Sequence, residues 1–147
     1  MISIVGPTGA SKTALALKLS KNLPINVISA DSRQVYKYMD IGTAKPTKEQ
    51  RNTLTHYLVD YINPDEKYNL NKFIIDSHYY INKIKKKKNI PLIVGGTGLY
   101  IWALIDNWSL PDVGPNEKFR TKLENNIENF GTEYIKNNFI NKVGSDL

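Results

Sequence analysis

The feature that most constrains the fold is a glycine-rich turn between a short apolar run and the first helical pattern. The apolar run is Ile2–Val5, and residues 12–22 carry Leu15 and Leu19 four positions apart beside small alanines. The turn that joins them reads Gly6, Pro7, Thr8, Gly9, Ala10, Ser11, Lys12 and Thr13. This order predicts a strand, a phosphate-binding loop (P-loop) of the type G-x-x-x-x-G-K-[ST], and a helix.

The P-loop has the residues that phosphate binding requires, with one exception. Backbone N–H groups of such a loop surround a phosphate at the positive N-terminus of the following helix. We expect Lys12 to neutralise phosphate oxygens and the Thr13 hydroxyl to ligate Mg²⁺. Ser11 replaces the second glycine of the pattern, and we expect its Cβ to crowd the close backbone approach that glycine permits. The alternative is a glycine-rich turn that binds no ligand.

The rest of the first 110 residues alternates between strand and helix patterns. Strands are predicted over residues 25–28, 56–62 and 90–94, and helices over residues 71–88 and from the glycine-rich residues 95–98 through residue 106. Such alternation is typical of a parallel sheet with flanking helices. We therefore predict an α/β fold, a P-loop NTPase-like parallel sheet flanked by helices, in which some strands are missing.

A junction rich in proline separates this core from the last part of the chain, at residues 110–115. Beyond it, apolar residues recur every four positions in two groups, which predicts two amphipathic helices outside the sheet. These residues are Phe119, Leu123, Ile127, Ile135, Phe139 and Val143. We predict a partial P-loop α/β core over residues 1–110 and the beginning of a helical tRNA-binding insertion over residues 111–147.

Composition excludes several classes of protein. The chain has no cysteine, which excludes a disulfide scaffold, a thiolate metal site and a cysteine nucleophile. No apolar run reaches the roughly 20 residues of a membrane span, and no secretory signal precedes the first strand. We therefore expect a cytoplasmic protein that has no membrane partner. The 20 basic and 14 acidic residues give a net charge of +6, which is compatible with a phosphate or RNA partner.

Four sequence blocks, in order, resemble those of the tRNA dimethylallyltransferase (tRNA isopentenyltransferase) family. The first is the P-loop. The second covers residues 31–36 and 39–46, which read DSRQVY and MDIGTAKP. The third is HYLVD at residues 56–60, and the fourth is PLIVGGTGLY at residues 91–100. Because the four blocks extend across most of the predicted core, the resemblance is specific.

The resemblance implies transfer of a dimethylallyl group from dimethylallyl diphosphate to N6 of the adenosine at tRNA position 37, in tRNAs that read codons beginning with U. It implies that the P-loop holds the donor diphosphate with Mg²⁺, although the same loop is commonly described as nucleotide-binding or ATP-binding. Asp31 would accept the N6 proton, and the Thr97 hydroxyl would stabilise the charge on the departing diphosphate. The implied tRNA contacts are Asp31, Ser32, Arg33, Gln34, Thr97 and Arg120. Members of this family act as monomers.

Three alternatives stay open. Asp31 is also a suitable turn or helix cap. A small-molecule P-loop kinase would need an arginine-bearing lid, whereas the chain has only three dispersed arginines, Arg33, Arg51 and Arg120. The third alternative is a non-catalytic phosphate- or RNA-binding fragment, because family members are about twice this length. We therefore expect residues 1–147 to resemble the N-terminal half of the enzyme and to be poorly active alone.

Overall fold

The structure is a computed structural model that describes residues 2–110 and 114–140. The chain divides into two compact units, Met1–Leu110 and Pro111–Leu147. Among the described residues, the first unit contains the sheet and the second contains helices. No helix in these ranges is both long enough and apolar enough to cross a membrane. The P-loop and the residues predicted around it all belong to the first unit.

The first unit is built on a four-stranded sheet. Its strands are β1 (Ile2–Val5), β2 (Ile25–Ala30), β3 (His56–Tyr57) and β4 (Ile90–Gly95). They lie in the order β1-β4-β2-β3, and each neighbouring pair is parallel. β2 and β4 are rich in isoleucine and valine, as expected of parallel strands that are covered on both faces. The predicted α/β fold with a parallel sheet is confirmed.

Helices cover both faces of this sheet. They are α1 (Lys12–Ser20) on one face and α3 (Leu70–Lys86) and α4 (Gly98–Ile105) on the other, whereas α2 (Lys48–Thr53) has no buried residue. One core joins α1 to the sheet through Ala16, Ile25, Val27, Leu54, Leu92 and Val94. A larger core on the other face joins α3 and α4 to Ile28, Ala30 and Ile93. Successive residues of β2 and β4 therefore enter different cores, which explains why apolar residues predominate in both strands although β2 also contains Asn26 and Ser29.

The helix α3 forms where the sequence provides a cap and an apolar face. The Asn69 side chain caps its N-terminus by accepting a hydrogen bond from the backbone N–H of Lys72 at 2.9 Å. Buried side chains then recur at helical spacing at Phe73, Ile74, Ser77, Ile81 and Ile84. The last turn is rich in lysine, whose charge is favourable at a helix C-terminus. The helix predicted over residues 71–88 is confirmed, with both ends within two residues.

The strand predicted over residues 56–62 is wrong in its length. Only the two residues of β3 pair with β2. The chain then leaves the extended conformation, because Leu58 and Asp60 have positive φ angles of 61° and 50°. Ile62 forms an isolated bridge with Tyr36 instead. The alternation of apolar residues did not reveal this change, since tertiary contacts override local strand preference.

The helix α2 has no counterpart among the predicted helices, although its N-terminus carries a recognisable signal. The Thr47 hydroxyl accepts a hydrogen bond from the backbone N–H of Gln50 at 3.3 Å. The Thr47 backbone N–H donates to the Gln50 side-chain oxygen at 2.9 Å. This reciprocal arrangement is a capping box, so the pattern Thr-x-x-Gln was a sufficient signal for the start of this helix.

The second unit contains α5 (Glu117–Phe130), α6 (Thr132–Ile135) and a π-helical turn (Lys136–Ile140). The Asn116 side chain caps α5, and Gly131, with φ of 78°, separates α5 from α6. Phe119 and Ile127 are exposed on α5. The second predicted helix is a single α-turn that continues as the π-helical turn, and Val143 lies outside the described residues.

Candidate active site

The P-loop turns at two residues with positive φ angles. Gly9 has φ of 85°, which glycine adopts without steric cost. Ser11 has φ of 53° and ψ of 26°, in the left-handed region where a Cβ costs roughly 1–2 kcal/mol. The helix α1 begins at the next residue, Lys12. Glycine would therefore suit position 11 because of the backbone angles there, whether or not a side chain at this position crowds a ligand.

The Lys12 side chain folds back over the P-loop. Its Nζ donates hydrogen bonds to the carbonyl oxygens of Gly6 at 2.8 Å and Pro7 at 2.7 Å. These contacts hold a positive charge beside the N-terminus of α1, where the helix dipole also favours an anion. A charged phosphate oxygen is a stronger acceptor than a carbonyl oxygen and can compete for this ammonium. Phosphate binding by Lys12 stays a prediction that this geometry permits.

The P-loop opens into a cavity of about 180 Å³. The polar or charged side chains in its lining are Thr8, Ser11, Lys12, Thr13, Ser29, Asp31, Gln34, Thr43 and His56. Its apolar lining is Ala10, Val27, Ala44, Pro46 and Val94. The cavity lies where parallel strands end and the next loops begin, which is the usual location of ligand sites in open α/β sheets. One cavity therefore combines a phosphate-binding loop, a carboxylate and a small apolar surface.

Asp31 follows β2 directly and has two roles in the structure. Its Oδ1 accepts hydrogen bonds from the backbone N–H groups of Arg33 at 2.9 Å and Gln34 at 3.2 Å. Asp31 is therefore a turn cap, as one alternative held, and it also lines the cavity. An ionised carboxylate has about four lone-pair sites, so these two bonds leave it able to accept a proton. The structure is compatible with both interpretations of Asp31.

Thr97 connects the end of β4 to the turn that Asp31 caps. Its hydroxyl oxygen accepts a hydrogen bond from the backbone N–H of Ser32 at 3.0 Å. Its backbone N–H donates to the carbonyl oxygen of Ala30 at 3.2 Å. Nearby, a Cβ on Gly95 would overlap the backbone of Ala30. Glycine at this position therefore permits the close approach that keeps Asp31 and Thr97 at neighbouring strand ends.

The Gln34 side chain is used inside the protein. Its Nε2 donates hydrogen bonds to the carbonyl oxygens of Thr43 and Ala44, each at 3.1 Å. Its Oε1 accepts a hydrogen bond from the Ser29 hydroxyl at 3.1 Å. Gln34 therefore fastens the segment around Ala44 to β2. The predicted contact of Gln34 with tRNA stays a prediction, and in this arrangement the side-chain amide already has internal partners.

Asp60 forms ion pairs with a lysine and an arginine side chain close to the cavity. Its Oδ1 accepts a hydrogen bond from Lys45 Nζ at 2.7 Å, and its Oδ2 pairs with the guanidinium of Arg51. Burial raises the pKa of Asp60, but the hydrogen bonds and positive charges of Lys45 and Arg51 outweigh burial and hold the pKa below its ordinary value. Asp60 is therefore ionised at neutral pH. Neither Lys45 nor Arg51 was among the predicted site residues.

His56 lines the cavity and was not among the predicted site residues, although it begins the third sequence block. It opens β3, next to β2 in the sheet, and this position brings it to the cavity. Burial lowers the pKa of His56 below 6.5, and the charge of Arg51 acts in the same direction, whereas the hydrogen bond to Leu54 opposes them. Nδ1 lies 2.6 Å from the Leu54 carbonyl oxygen, so Nδ1 carries the proton of the neutral ring. Nε2 then has the lone pair.

The remaining predicted residues differ in their surroundings. Thr13 is half-buried and lines the cavity beside Lys12. Arg33 is exposed at the end of β2, and Arg120 is exposed on α5 in the second unit. In the part of the chain that the structure describes, no group of three or more histidine and acidic side chains is arranged to hold a metal ion. A Mg²⁺ ion at Thr13 would therefore need ligand phosphates as well.

A model of the IPP transferase family matches residues 34–142, which is well over half of the chain. The chain belongs to the IPP transferase family. The predicted family is thereby confirmed, and the matched span includes Gln34, the Lys45–Asp60 pair and Thr97. The P-loop and Asp31 precede the matched span, and their roles stay predictions.

A curated relative of this IPP transferase chain is the tRNA dimethylallyltransferase of Natranaerobius thermophilus, which is 43% identical over 137 residues. That match covers 92% of the chain and 41% of the relative. The full-length tRNA isopentenylpyrophosphate transferase of Bacillus halodurans has a similar structure, with a TM-score of 0.72, 36% identity and coverage of 99% of this chain and 48% of that one.

A eukaryotic dimethylallyltransferase described as acting on tRNA also has a similar structure, with a TM-score of 0.72 and 29% identity. That match covers 84% of this IPP transferase chain and 31% of the eukaryotic one. The chain spans less than half the length of the curated relatives it matches. The similarity therefore concerns the part of these proteins that contains the P-loop sheet.

Proposed function

We propose that this chain carries the donor-binding part of an enzyme that transfers a dimethylallyl group from dimethylallyl diphosphate to N6 of an adenosine in tRNA. The adenosine is the one at position 37, in tRNAs that read codons beginning with U. The observation that best supports this proposal is the single cavity shared by the P-loop, an apolar surface and the Asp31 carboxylate. A prenyl diphosphate has the matching parts, because it joins a diphosphate to a short hydrocarbon.

The chemistry assigns a separate role to each polar group. N6 of adenine forms a bond to C1 of the dimethylallyl group, and the bond between C1 and the diphosphate oxygen breaks. The Asp31 carboxylate accepts the proton that N6 loses. The diphosphate leaves with the bonding electrons, and the Lys12 ammonium at the N-terminus of α1 stabilises its charge. The Thr97 oxygen accepts from Ser32, so its hydroxyl hydrogen is left to donate to the same diphosphate.

Mg²⁺ fits this donor set as a partner of the diphosphate. The Thr13 hydroxyl and the Asp31 carboxylate line one cavity, and Mg²⁺ prefers oxygen ligands and usually keeps several waters. We assign the protein ligand to Thr13. When bound, the ion would supply positive charge to the diphosphate oxygens.

The tRNA is proposed to contact the residues that follow Asp31, namely Ser32, Arg33 and Gln34, together with Thr97 and Arg120. The net charge of +6 supports an interaction with a phosphate backbone. The enzyme is proposed to act as a monomer in the cytoplasm. Because the relatives are more than twice as long as the matched segment, group transfer is proposed for the longer protein and donor binding for this chain.

A titration calorimetry experiment tests donor binding directly. Dimethylallyl diphosphate is titrated with Mg²⁺ into the wild-type chain, Lys12→Ala and the matched control Lys18→Ala, which removes an exposed lysine from the same helix. Removing a charged hydrogen bond costs roughly 1.5–3 kcal/mol, so Lys12→Ala should weaken binding by at least about tenfold. Lys18→Ala should bind like the wild type. Equal binding by Lys12→Ala and the wild type would refute the assignment of the P-loop.

The same titration distinguishes a prenyl transferase from a small-molecule P-loop kinase. ATP with Mg²⁺ replaces dimethylallyl diphosphate in a second series against the same three proteins. A prenyl transferase should bind dimethylallyl diphosphate more tightly than ATP, because the apolar lining of the cavity can pack against a prenyl group but not against a γ-phosphate. Tighter, Lys12-dependent binding of ATP would favour the kinase.

A further inference from the structure

One wall of the cavity is a loop that is held in place by a buried lysine ammonium. This wall is the segment at residues 39–46, and it contributes Thr43, Ala44 and Pro46 to the lining. The segment contains no helix or strand, so its position depends on side-chain contacts. Gln34 provides one of them through the carbonyl oxygens of Thr43 and Ala44. Lys45 provides the other.

The Lys45 ammonium is buried and all of its protons are donated. The side chain is 5% exposed. Its Nζ donates to the Tyr36 carbonyl oxygen at 2.7 Å, to Asp40 Oδ1 at 3.0 Å and to Asp60 Oδ1 at 2.7 Å. A lysine ammonium has three protons, so these bonds satisfy it completely. Because a buried charge is costly unless it is paired, the wall is held where Lys45 meets Tyr36 and Asp60, the two acceptors that lie outside it.

Asp60 connects this ammonium to the rest of the unit. Its carboxylate also pairs with Arg51 on α2, and its backbone N–H donates to the Gln34 carbonyl oxygen at 3.0 Å. Asp60 comes shortly after β3, and its positive φ turns the chain toward the wall. The ion-pair group of Lys45, Asp60, Arg51 and Asp40 therefore links the wall to the sheet edge and to a helix. It acts on the cavity through Ala44 and Pro46, the neighbours of Lys45.

The two sides of the cavity differ in chemistry. The P-loop side offers the Lys12 ammonium and the N-terminus of α1, which suit a diphosphate. The wall offers Ala44 and Pro46, which with Val27 and Val94 suit a hydrocarbon. A change in the wall should therefore alter the binding of the prenyl group more than the binding of the diphosphate.

We propose that Lys45 is a positioning residue that holds this wall against the hydrocarbon of the donor, so that it sets the preference of the cavity for a prenyl diphosphate over inorganic pyrophosphate. This inference rests on the proposed function, since it takes dimethylallyl diphosphate as the ligand. Lys45 reaches the ligand through the wall and makes no contact with the diphosphate in this scheme.

The test compares two ligands on matched variants of the whole chain. Dimethylallyl diphosphate and inorganic pyrophosphate are titrated with Mg²⁺ into the wild type, Lys45→Met and the control Lys37→Met. Lys37 is a nearby lysine whose Nζ donates to the exposed side-chain oxygen of Asn63 at 3.3 Å. Lys45→Met should lose about tenfold in affinity for dimethylallyl diphosphate, as expected when a few buried carbons lose one packing surface. Its affinity for pyrophosphate should change less than about twofold.

The second variant, Asp60→Asn, keeps an oxygen for Lys45 but removes the charge, and it decides the question if Lys45→Met does not fold. It should weaken dimethylallyl diphosphate selectively, and Lys37→Met should change neither ligand. Equal losses for both ligands would mean that Lys45 only supports the fold, and unchanged binding would mean that the wall does not need it. Either result overturns the inference while leaving the donor assignment intact. If the wild type binds dimethylallyl diphosphate no better than Lys12→Ala does, both the proposed function and the inference are wrong.

Discussion

The torsion angles of Ser11 lead to a prediction about stability that can be worked out from the structure. A Cβ in the left-handed region costs roughly 1–2 kcal/mol, and glycine removes this cost. Glycine also gives the unfolded chain more freedom, which costs about 0.4–1 kcal/mol. The Ser11 side chain makes no capping hydrogen bond to α1, so no helix cap is lost. The midpoints of these two ranges differ by about 0.8 kcal/mol, so we predict that Ser11→Gly stabilises the chain by about that amount.

Thermal and urea unfolding of Ser11→Gly measure this difference. A gain of 1 kcal/mol corresponds to a rise in Tm of roughly 2–4 °C for a chain of this size. Ser20→Gly is the matched control, because Ser20 is the last residue of α1 and its hydroxyl donates to the Leu17 carbonyl oxygen at 2.8 Å. Glycine there should destabilise by about 0.5–1 kcal/mol.

The two substitutions should therefore have opposite signs. If Ser11→Gly lowers the free energy of unfolding as Ser20→Gly does, the left-handed conformation of Ser11 is not strained and the reasoning is wrong. The same protein also tests the crowding argument, since Ser11→Gly should bind dimethylallyl diphosphate at least as tightly as the wild type. Weaker binding would show that the Ser11 side chain contributes to the P-loop site.

Two further predictions concern the cavity. In a protein of the relatives' full length, Asp31→Asn should keep the turn cap and leave donor affinity nearly unchanged. The rate of single-turnover transfer to tRNA should fall by a factor of about 10² to 10⁴. Transfer at a near-normal rate would show that Asp31 is not the base. The lowered pKa of His56 means that the unfolded chain binds a proton more readily than the folded chain does. The stability that neutral His56 contributes is therefore complete above about pH 6.5, and it is lost as the pH falls through the folded-state pKa. Urea unfolding between about pH 5.5 and 7.5 should show this loss in the wild type and a flatter profile in His56→Asn, and identical profiles would contradict it.

The core elements were predictable because their signals are local. β1, β2 and β4 are short apolar runs, and α3 has a regular apolar spacing, so the types of these elements follow from neighbouring residues. The left-handed residues Leu58 and Asp60 were not predictable in the same way. A strand pattern describes side-chain polarity, and it contains no information about a backbone turn that a distant ion pair stabilises.

The candidate site divides along the same line. Asp31 and Thr97 are far apart in the sequence, yet each follows a predicted strand, and the parallel pairing of β2 with β4 brings these two strand ends to one edge. Their hydrogen-bonded turn follows from this placement. The roles of Lys45, Arg51 and His56 did not emerge, since their charge, exposure and partners depend on burial.

The sequence by itself determined the P-loop, its place between strand and helix, and the family, because each depends on residue types in a fixed order. Only the tertiary structure decided which side chains enclose the cavity. The Lys45 ammonium is buried because acceptors on Tyr36, Asp40 and Asp60 meet around it, and Ser11 is strained because the loop must turn there. Both facts depend on folding. A charge such as that of Lys45 is desolvated only when other segments pack around it, and the left-handed backbone of Ser11 has a cost only when the folded loop imposes it.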